Sequence, residues 1–172
     1  MGHGIEKTVL DGSGMCIGVV AARWNAFVVE PLLLGAQEAL QSCGVTDVHI
    51  VRVPGAFELP CAANWLCRTG EFDAVIVLGA VIRGDTAHFE FVAGECARGV
   101  QDVMLRTQVP VIFGVLTTNT TDQATSRADI AGDNKGAEAA RAAIEMAIVR
   151  RQWGRGSALE TLDKNRDFGE QP

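Results

Sequence analysis

Four short apolar runs recur along the chain, and each of them predicts a β-strand. The runs are Met15–Ala21, Val48–Val53, Asp73–Gly79 and Pro110–Leu116. The run Asp73–Gly79 is uninterrupted and rich in β-branched residues, as expected of a strand that is buried on both faces of a parallel sheet, and Met15–Ala21 is also interpreted as a buried strand. The second run alternates partly with polar residues, among them His49, which is interpreted as a structural residue of that strand.

Apolar residues at helical spacing follow these runs and predict helices between the strands. In the first helix Pro31 suits an early position, and Gly44 ends the helix. The later helices are predicted from Phe57 to about Arg68, from the turn at Gly84 to Met104, over Asp122–Ala128, and from Asn134 to about Trp153. The side chain of Asn134 is expected to cap the last helix.

Strands that alternate with helices predict a three-layer α/β fold, in which helices flank a four-stranded parallel sheet with right-handed crossovers. No repeat, low-complexity tract or linker divides the chain, so residues 14–153 are predicted to form one domain. Residues 1–13 are polar and contain glycine, and they are interpreted as a flexible arm. Residues 154–172 are charged and glycine-rich without periodicity, so they are interpreted as a disordered tail.

Charge and composition exclude several classes of protein. A formal net charge of −6 argues against a nucleic-acid-binding surface. No apolar run approaches the roughly 20 residues of a membrane-spanning helix, and the start of the chain lacks a signal-peptide pattern. The five cysteines form no CxxC pair, which favours reduced core residues in a cytoplasmic protein. Because the three histidines are far apart and show no ligand spacing, no metal site is expected.

The most informative stretch is the turn after the third predicted strand. Gly84, Asp85 and Thr86 precede the next helix, and His88 falls in its first turn. Ligands bind beyond the carboxyl ends of parallel strands, and a helix N-terminus offers free N–H groups to an anion such as phosphate. The spacing therefore suggests a phosphate site beside a proton-transfer group. The alternative is an ordinary turn with a helix cap and a solvated histidine, so other residues must support the site.

The other strand ends carry comparable combinations of aromatic and polar residues. They are Arg23-Trp24-Asn25, Pro54-Gly-Ala-Phe-Glu-Leu-Pro60 and Phe113-Gly-Val-Leu-Thr-Thr118, followed by Arg127 and Asn134-Lys-Gly-Ala-Glu138. With Gly79-Ala-Val-Ile-Arg-Gly-Asp-Thr-Ala-His-Phe-Glu90, these motifs closely resemble the 6,7-dimethyl-8-ribityllumazine synthase family. The motifs occur in order and with family-like spacing over roughly residues 14–150.

The resemblance implies a flavodoxin-like fold and the penultimate step of riboflavin biosynthesis. The family joins 5-amino-6-(D-ribitylamino)uracil to 3,4-dihydroxy-2-butanone 4-phosphate and releases phosphate and water, without an organic cofactor or a metal. Its subunits form pentamers, in some members assembled into a hollow shell, and each active site lies between two neighbours. The resemblance therefore implies a homo-oligomer built from pentamers, with small-molecule substrates and riboflavin synthase as a candidate partner.

The resemblance also implies roles for individual residues of the predicted strand ends. Trp24 is expected to stack on the pyrimidine, and Asn25 is expected to form hydrogen bonds with its ring. The other substrate-binding residues are Ala56, Phe57 and Glu58 for the ribityl chain, Ala80, Val81 and Ile82 for the ring pocket, and Gly84, Asp85 and Thr86 for the phosphate.

Four further residues complete the set that the resemblance implies. His88 matches the family's proton-transfer residue, which suits an imidazole working near neutral pH. Phe113 and Arg127 are expected to reach in from the neighbouring subunit, Phe113 to cover the heterocycle and Arg127 to pair with phosphate. Lys135 is expected near the ribityl end.

Two features depart from the family pattern. Asp85 brings a carboxylate to the phosphate turn, where it would oppose phosphate unless it points away or pairs with Arg83. The segment 129–134, Asp-Ile-Ala-Gly-Asp-Asn, replaces the Gly-Thr-Lys-Ala-Gly-Asn type of loop found in shell-forming members. Its two carboxylates, Asp129 and Asp133, would repel one another around a threefold axis. They predict free pentamers, or a pair of pentamers, rather than a closed shell.

Two non-catalytic functions on the same scaffold remain as alternatives. The protein could be a carrier of flavin or lumazine, because an aromatic pocket with a phosphate site would also hold a flavin phosphate. It could also be a structural shell protein. The joint presence of His88, Arg127 and the two aromatic residues Trp24 and Phe113 favours the enzyme, because a shell requires none of them.

Overall fold

The structure, a computed structural model, describes residues 10–154. Its strands are β1 Cys16–Ala22, β2 Asp47–Val53, β3 Ala74–Ile82 and β4 Val111–Thr118. Its helices are α1 Ala26–Ser42, α2 Leu59–Thr69, α3 His88–Thr107, α4 Thr121–Ala128 and α5 Lys135–Trp153. A short 3-10 turn, Ala56–Glu58, leads into α2.

The four strands form one parallel sheet in the order β2-β1-β3-β4. β1 pairs with β2 on one side and with β3 on the other, and β3 also pairs with β4. The predicted three-layer α/β fold with a four-stranded parallel sheet is confirmed. The chain adds β2 on one side of β1 and then adds β3 and β4 on the other side, so the order of strands switches between β1 and β3. In parallel sheets, ligands bind at the carboxyl ends of the strands at such a switch point.

Two cores lie on opposite faces of this sheet. Along β1, Ile17 and Val19 pack in a core with α1, α4 and α5, whereas Val20 and Ala22 pack in a second core with α2 and α3. Burial on both faces explains why the apolar runs of β1 and β3 are uninterrupted. β2 lies at the edge of the sheet and leaves several side chains exposed, which explains its partly alternating sequence.

Helix α1 begins earlier than the position of Pro31 suggests. Its first residue is Ala26, and Pro31 lies inside the helix, where it lacks an N–H group for the carbonyl one turn back. Asn25 precedes the helix in a left-handed backbone conformation with φ 57°, and this turn carries the chain directly from β1 into α1. Asparagine adopts this conformation more readily than most residues, so the chain needs no glycine there.

The predicted cap of α5 is confirmed, and it connects three helices. The side-chain oxygen of Asn134 accepts a hydrogen bond from the backbone N–H of Ala137 at 3.0 Å. Its amide nitrogen donates to the carbonyl of Ala128 at 2.7 Å and to that of Pro31 at 3.1 Å. Asn134 is only 5 % exposed, and its three bonds hold α1 and the end of α4 against the start of α5.

The two predicted terminal segments lie largely outside the described residues. Of the predicted arm, residues 10–13 are described; Leu10 packs against the first core, and Gly12 donates its N–H to the carbonyl of Cys43 at 2.7 Å. The rest of the arm, residues 1–9, and the tail from residue 155 onward are not described. Within residues 10–154, no helix is long and apolar enough to cross a membrane.

Candidate active site

A cavity of about 450 Å³ opens where the carboxyl ends of β1 and β3 meet the 3-10 turn and the start of α3. Nine of the sequence-predicted residues line it: Trp24, Asn25, Ala56, Phe57, Glu58, Ala80, Val81, Ile82 and His88. Two further residues of α3, Phe91 and Val92, also line this cavity, here called the central cavity. The structure therefore brings together side chains from four separate stretches of the chain.

Aromatic rings form much of the wall of the central cavity. Trp24, Phe57 and Phe91 are 65 %, 57 % and 67 % exposed, so these large apolar surfaces are available to a flat ligand. The indole of Trp24 packs directly against Gly55, and a Cβ atom on Gly55 would lie only 2.4 Å from Trp24 Cε3. The glycine of the Pro54–Pro60 motif is thus required by a close approach.

Asn25 joins the two central strands at the floor of this cavity. Its side-chain nitrogen donates to the carbonyl of Ala80 at 2.8 Å. The side chain makes no capping hydrogen bond to α1, so the amide oxygen is not committed to the helix that follows. One half of the amide therefore holds β1 against β3, while the other half can accept a hydrogen bond from a ligand.

Glu58 is oriented by its own turn. One carboxylate oxygen accepts the backbone N–H of Gly55 at 2.9 Å, which closes the 3-10 turn before α2. The side chain is partly buried and points along the wall of the central cavity. The second oxygen can accept hydrogen bonds from hydroxyl groups of a ligand.

The predicted phosphate turn lies at the rim of the central cavity. Gly84, Asp85 and Thr86 are exposed, and α3 begins directly afterwards at His88. The residue before α3 is Ala87, whose methyl side chain cannot cap the helix. The N–H of Glu90 in this first turn donates to the carbonyl of Ala87 at 3.1 Å. The partial positive charge of the helix start favours an anion here. Thr86 Oγ1 accepts the backbone N–H of His88 at 3.4 Å, which keeps the imidazole next to the turn.

Arg83 supports this turn, but it does not pair with Asp85. Its guanidinium pairs with the carboxylate of Glu90, donates to Asn119 Oδ1 at 2.9 Å and lies 4.2 Å from the ring centre of Phe89. The hydrogen bond from Arg83 lowers the pKa of Glu90, which keeps that carboxyl group ionised. The pairing of Arg83 with Asp85 that would relieve the charge at the turn is therefore not formed.

Three predicted site residues lie elsewhere on the chain. Phe113 and Lys135 line a separate groove of about 340 Å³ between β4 and α5, here called the β4 groove. Lys135 pairs there with Glu138. Arg127 lies near the end of α4, exposed, and donates to the carbonyl of Gln123 at 3.0 Å. None of the three lines the central cavity.

Sequence reasoning missed Phe91 and Val92. Both lie one helical turn beyond His88, and a residue three or four positions along a helix lies on the same face. The helical spacing from His88 was thus the signal that could have found them.

The comparison with known families agrees with this geometry. A family model described as 6,7-dimethyl-8-ribityllumazine synthase matches residues 14–151, which covers most of the chain and includes every sequence-predicted site residue. The match implies a transferase-type enzyme of riboflavin synthesis that acts on small molecules and works as an oligomer. The chain belongs to the 6,7-dimethyl-8-ribityllumazine synthase family.

Proposed function

We propose that the protein condenses 5-amino-6-(D-ribitylamino)uracil with 3,4-dihydroxy-2-butanone 4-phosphate. The products are 6,7-dimethyl-8-ribityllumazine, phosphate and water. The observation that carries this proposal is the central cavity, in which one volume of about 450 Å³ collects the aromatic, amide, carboxylate and imidazole groups that both substrates need.

The pyrimidine and its ribityl chain fit the walls of the central cavity by their chemistry. The indole of Trp24 offers a flat face for stacking on the ring, and the free amide oxygen of Asn25 can accept from a ring N–H. Backbone groups at Ala80 and Val81 line the ring pocket. The uncommitted oxygen of Glu58 accepts from ribityl hydroxyls, and Ala56 and Phe57 flank that chain.

The butanone phosphate suits the rim of the same cavity. The turn at Gly84 and Asp85, the hydroxyl of Thr86 and the positive end of α3 bind its phosphate. Asp85, unpaired with Arg83, weakens this site unless its carboxylate turns towards solvent, and its exposure permits that orientation. His88 then lies beside both substrates.

The reaction requires several proton transfers, which His88 is placed to assist. The amine attacks the ketone, the carbinolamine loses water, phosphate is eliminated and the second ring closes. An imidazole can accept and return protons in each step near neutral pH. Because amine and ketone condense readily once aligned, most of the acceleration comes from holding the two substrates together.

A neighbouring subunit is proposed to complete the site. The residues lining the central cavity include no arginine or lysine, although the substrate carries a phosphate dianion. Arg127 and Phe113 lie outside the cavity of their own chain, so both are free to act on the cavity of the next one. Lys135, which lies beside Phe113, approaches the same neighbour.

Turnover of the two substrates, followed by absorbance of the lumazine product, tests the proposal. Formation of product that requires both substrates and the protein supports the enzyme. The exposed aromatic wall of the central cavity also fits a carrier of flavin or lumazine. A purified protein that binds these compounds and is yellow, yet forms no product, would establish the carrier instead.

A further inference from the structure

A cluster of three metal-ligating side chains lies at the edge of the sheet opposite the central cavity. Cys16 is the first residue of β1, and Asp47 and His49 belong to the start of β2. One ligand atom from each, the thiol sulfur, a carboxylate oxygen and an imidazole nitrogen, all lie within 4.8 Å of one another. Cys16 is partly buried, while Asp47 and His49 are exposed.

The register of the two strands holds these side chains on one face. Cys16 pairs with Asp47, and Gly18 pairs with His49, so alternation along β2 places Asp47 and His49 on the same side. Gly18 has no side chain to occupy the space beside Cys16. The imidazole of His49 packs edge-on against the ring of Phe72, with the ring centres 5.5 Å apart. Its Nε2 atom lies 2.9 Å from Asp47 Oδ1.

The surroundings of the cluster are negatively charged. Asp73 accepts the backbone N–H of Cys16 at 3.0 Å and is paired with Arg151, while Asp47 is paired with His49. A cation placed among these groups would relieve this concentration of negative charge.

We propose that Cys16, Asp47 and His49 bind a divalent transition-metal ion of the zinc type. Sulfur, imidazole and carboxylate ligands together favour zinc over magnesium or calcium, which prefer oxygen alone. A tetrahedral zinc ion with bonds of about 2.0–2.3 Å places neighbouring ligand atoms about 3.5 Å apart. The three ligand atoms now lie within 4.8 Å of one another. Water fills the fourth position, since two of the three residues are exposed.

Binding converts the Cys16 thiol to a thiolate, and its proton passes to solvent as the metal–sulfur bond forms. The ion then joins the starts of β1 and the edge strand β2. It contacts none of the residues that line the central cavity, so its proposed role is to stabilise the fold rather than to take part in the reaction.

Cobalt(II) added to the full, tag-free chain tests the site, because thiolate-bound cobalt has a strong near-ultraviolet charge-transfer absorption. We expect about one ion per chain, displaced by zinc, and a rise in melting temperature with zinc. Cys16→Ser should abolish the charge-transfer band, and Cys61→Ser, which alters an exposed cysteine of α2, should leave it unchanged.

The exposed ligands provide variants that do not disturb the core. His49→Gln and Asp47→Asn should each weaken binding at least about tenfold, since a lost ligand costs more than an outer-shell change. If Cys16→Ser fails to fold, these two variants decide the question. Absence of a thiolate band, or unchanged affinity in both exposed variants, would overturn the proposal.

Discussion

The central cavity and the β4 groove of this chain hold different parts of one proposed site. The central cavity contains the imidazole, the amide and most of the aromatic surface, but no cationic side chain. The β4 groove contains Phe113 and Lys135, but no histidine. In the proposed site, the β4 groove of one subunit adds an aromatic ring, and Arg127 adds a cation, to the stacking face and imidazole of the central cavity of the next. We therefore propose that catalysis depends on contact between subunits, and the first predictions test that division.

The largest effect is expected from separating the subunits. Monomers obtained by dilution or mild denaturant should have no measurable turnover although they remain folded, because the two regions no longer meet. Sedimentation and activity measured over the same dilution series check this. Full activity in a folded monomer would mean that the central cavity is sufficient.

The native assembly is expected to contain about five or ten subunits, as free or paired pentamers. The exposed carboxylates of Asp129 and Asp133 oppose closer contact, most strongly at low salt. Replacing both with asparagine should therefore shift sedimentation towards larger species. A dominant species of about sixty subunits in the native protein would show that this loop does not prevent shell closure.

Arg127→Ala should raise the apparent KM for the butanone phosphate about 10- to 100-fold, the range expected for a hydrogen bond to a charged group. The KM for the pyrimidine should change far less. Lysine should restore little, because an ammonium group cannot reproduce the planar two-pronged contact. Arg106→Ala serves as the control, since Arg106 is an exposed arginine of α3. Equal effects on both substrates would contradict the assignment.

His88→Ala should lower kcat up to about 100-fold and leave substrate binding largely intact, because the imidazole moves protons and does not anchor substrate. Residual turnover should persist, since the substrates are still held together. His49→Gln, at the opposite edge of the sheet, should have no effect on kcat. Unchanged turnover of His88→Ala across about pH 6–8 would remove His88 from the mechanism.

Gly55→Ala should have the smallest effect, about a 2- to 10-fold rise in the KM for the pyrimidine, comparable with a stacked aromatic pair. The added Cβ would lie 2.4 Å from Trp24 Cε3 and would displace the indole. Gly94→Ala is the matched control, because a Cβ atom there meets no heavy atom within 4 Å. If the two variants behave alike, Trp24 does not stack on the substrate in its present position.

The fold could be predicted from the sequence because its signals are local. The uninterrupted apolar run of β3 indicates a strand buried on both faces, and the structure places β3 inside the sheet. The run of β4 is equally uninterrupted, yet β4 lies at the edge of the sheet and leaves Phe113 exposed. The early helical position predicted for Pro31 is less accurate, because α1 already begins at Ala26 and Pro31 lies inside it. The helix start is set by the left-handed backbone conformation of Asn25. That conformation is stabilised by a tertiary contact, the hydrogen bond from the Asn25 side chain to the carbonyl of Ala80.

The site was predictable only in part, since its residues meet through the fold. The motif at each strand end could be found in the sequence, but its distance from the other motifs could not. Phe91 and Val92 escaped attention because apolar residues of a helix are usually core residues. The cluster at Cys16 had no ligand spacing, since 31 positions separate Cys16 from Asp47 and only strand pairing unites them.

Asn134 has a consequence for how this chain can change over time. Its bonds to Pro31, Ala128 and Ala137 fix both ends of segment 129–133, so helix positions do not depend on the residues between them. A Cβ atom on the neighbouring Gly136 would lie 1.9 Å from the Leu32 carbonyl oxygen, so that contact allows no substitution. Substitutions within segment 129–133 should therefore leave the positions of α1, α4 and α5 unchanged. If this segment contacts other rings of subunits, as the assembly prediction requires, mutation can alter that contact while leaving each central cavity intact.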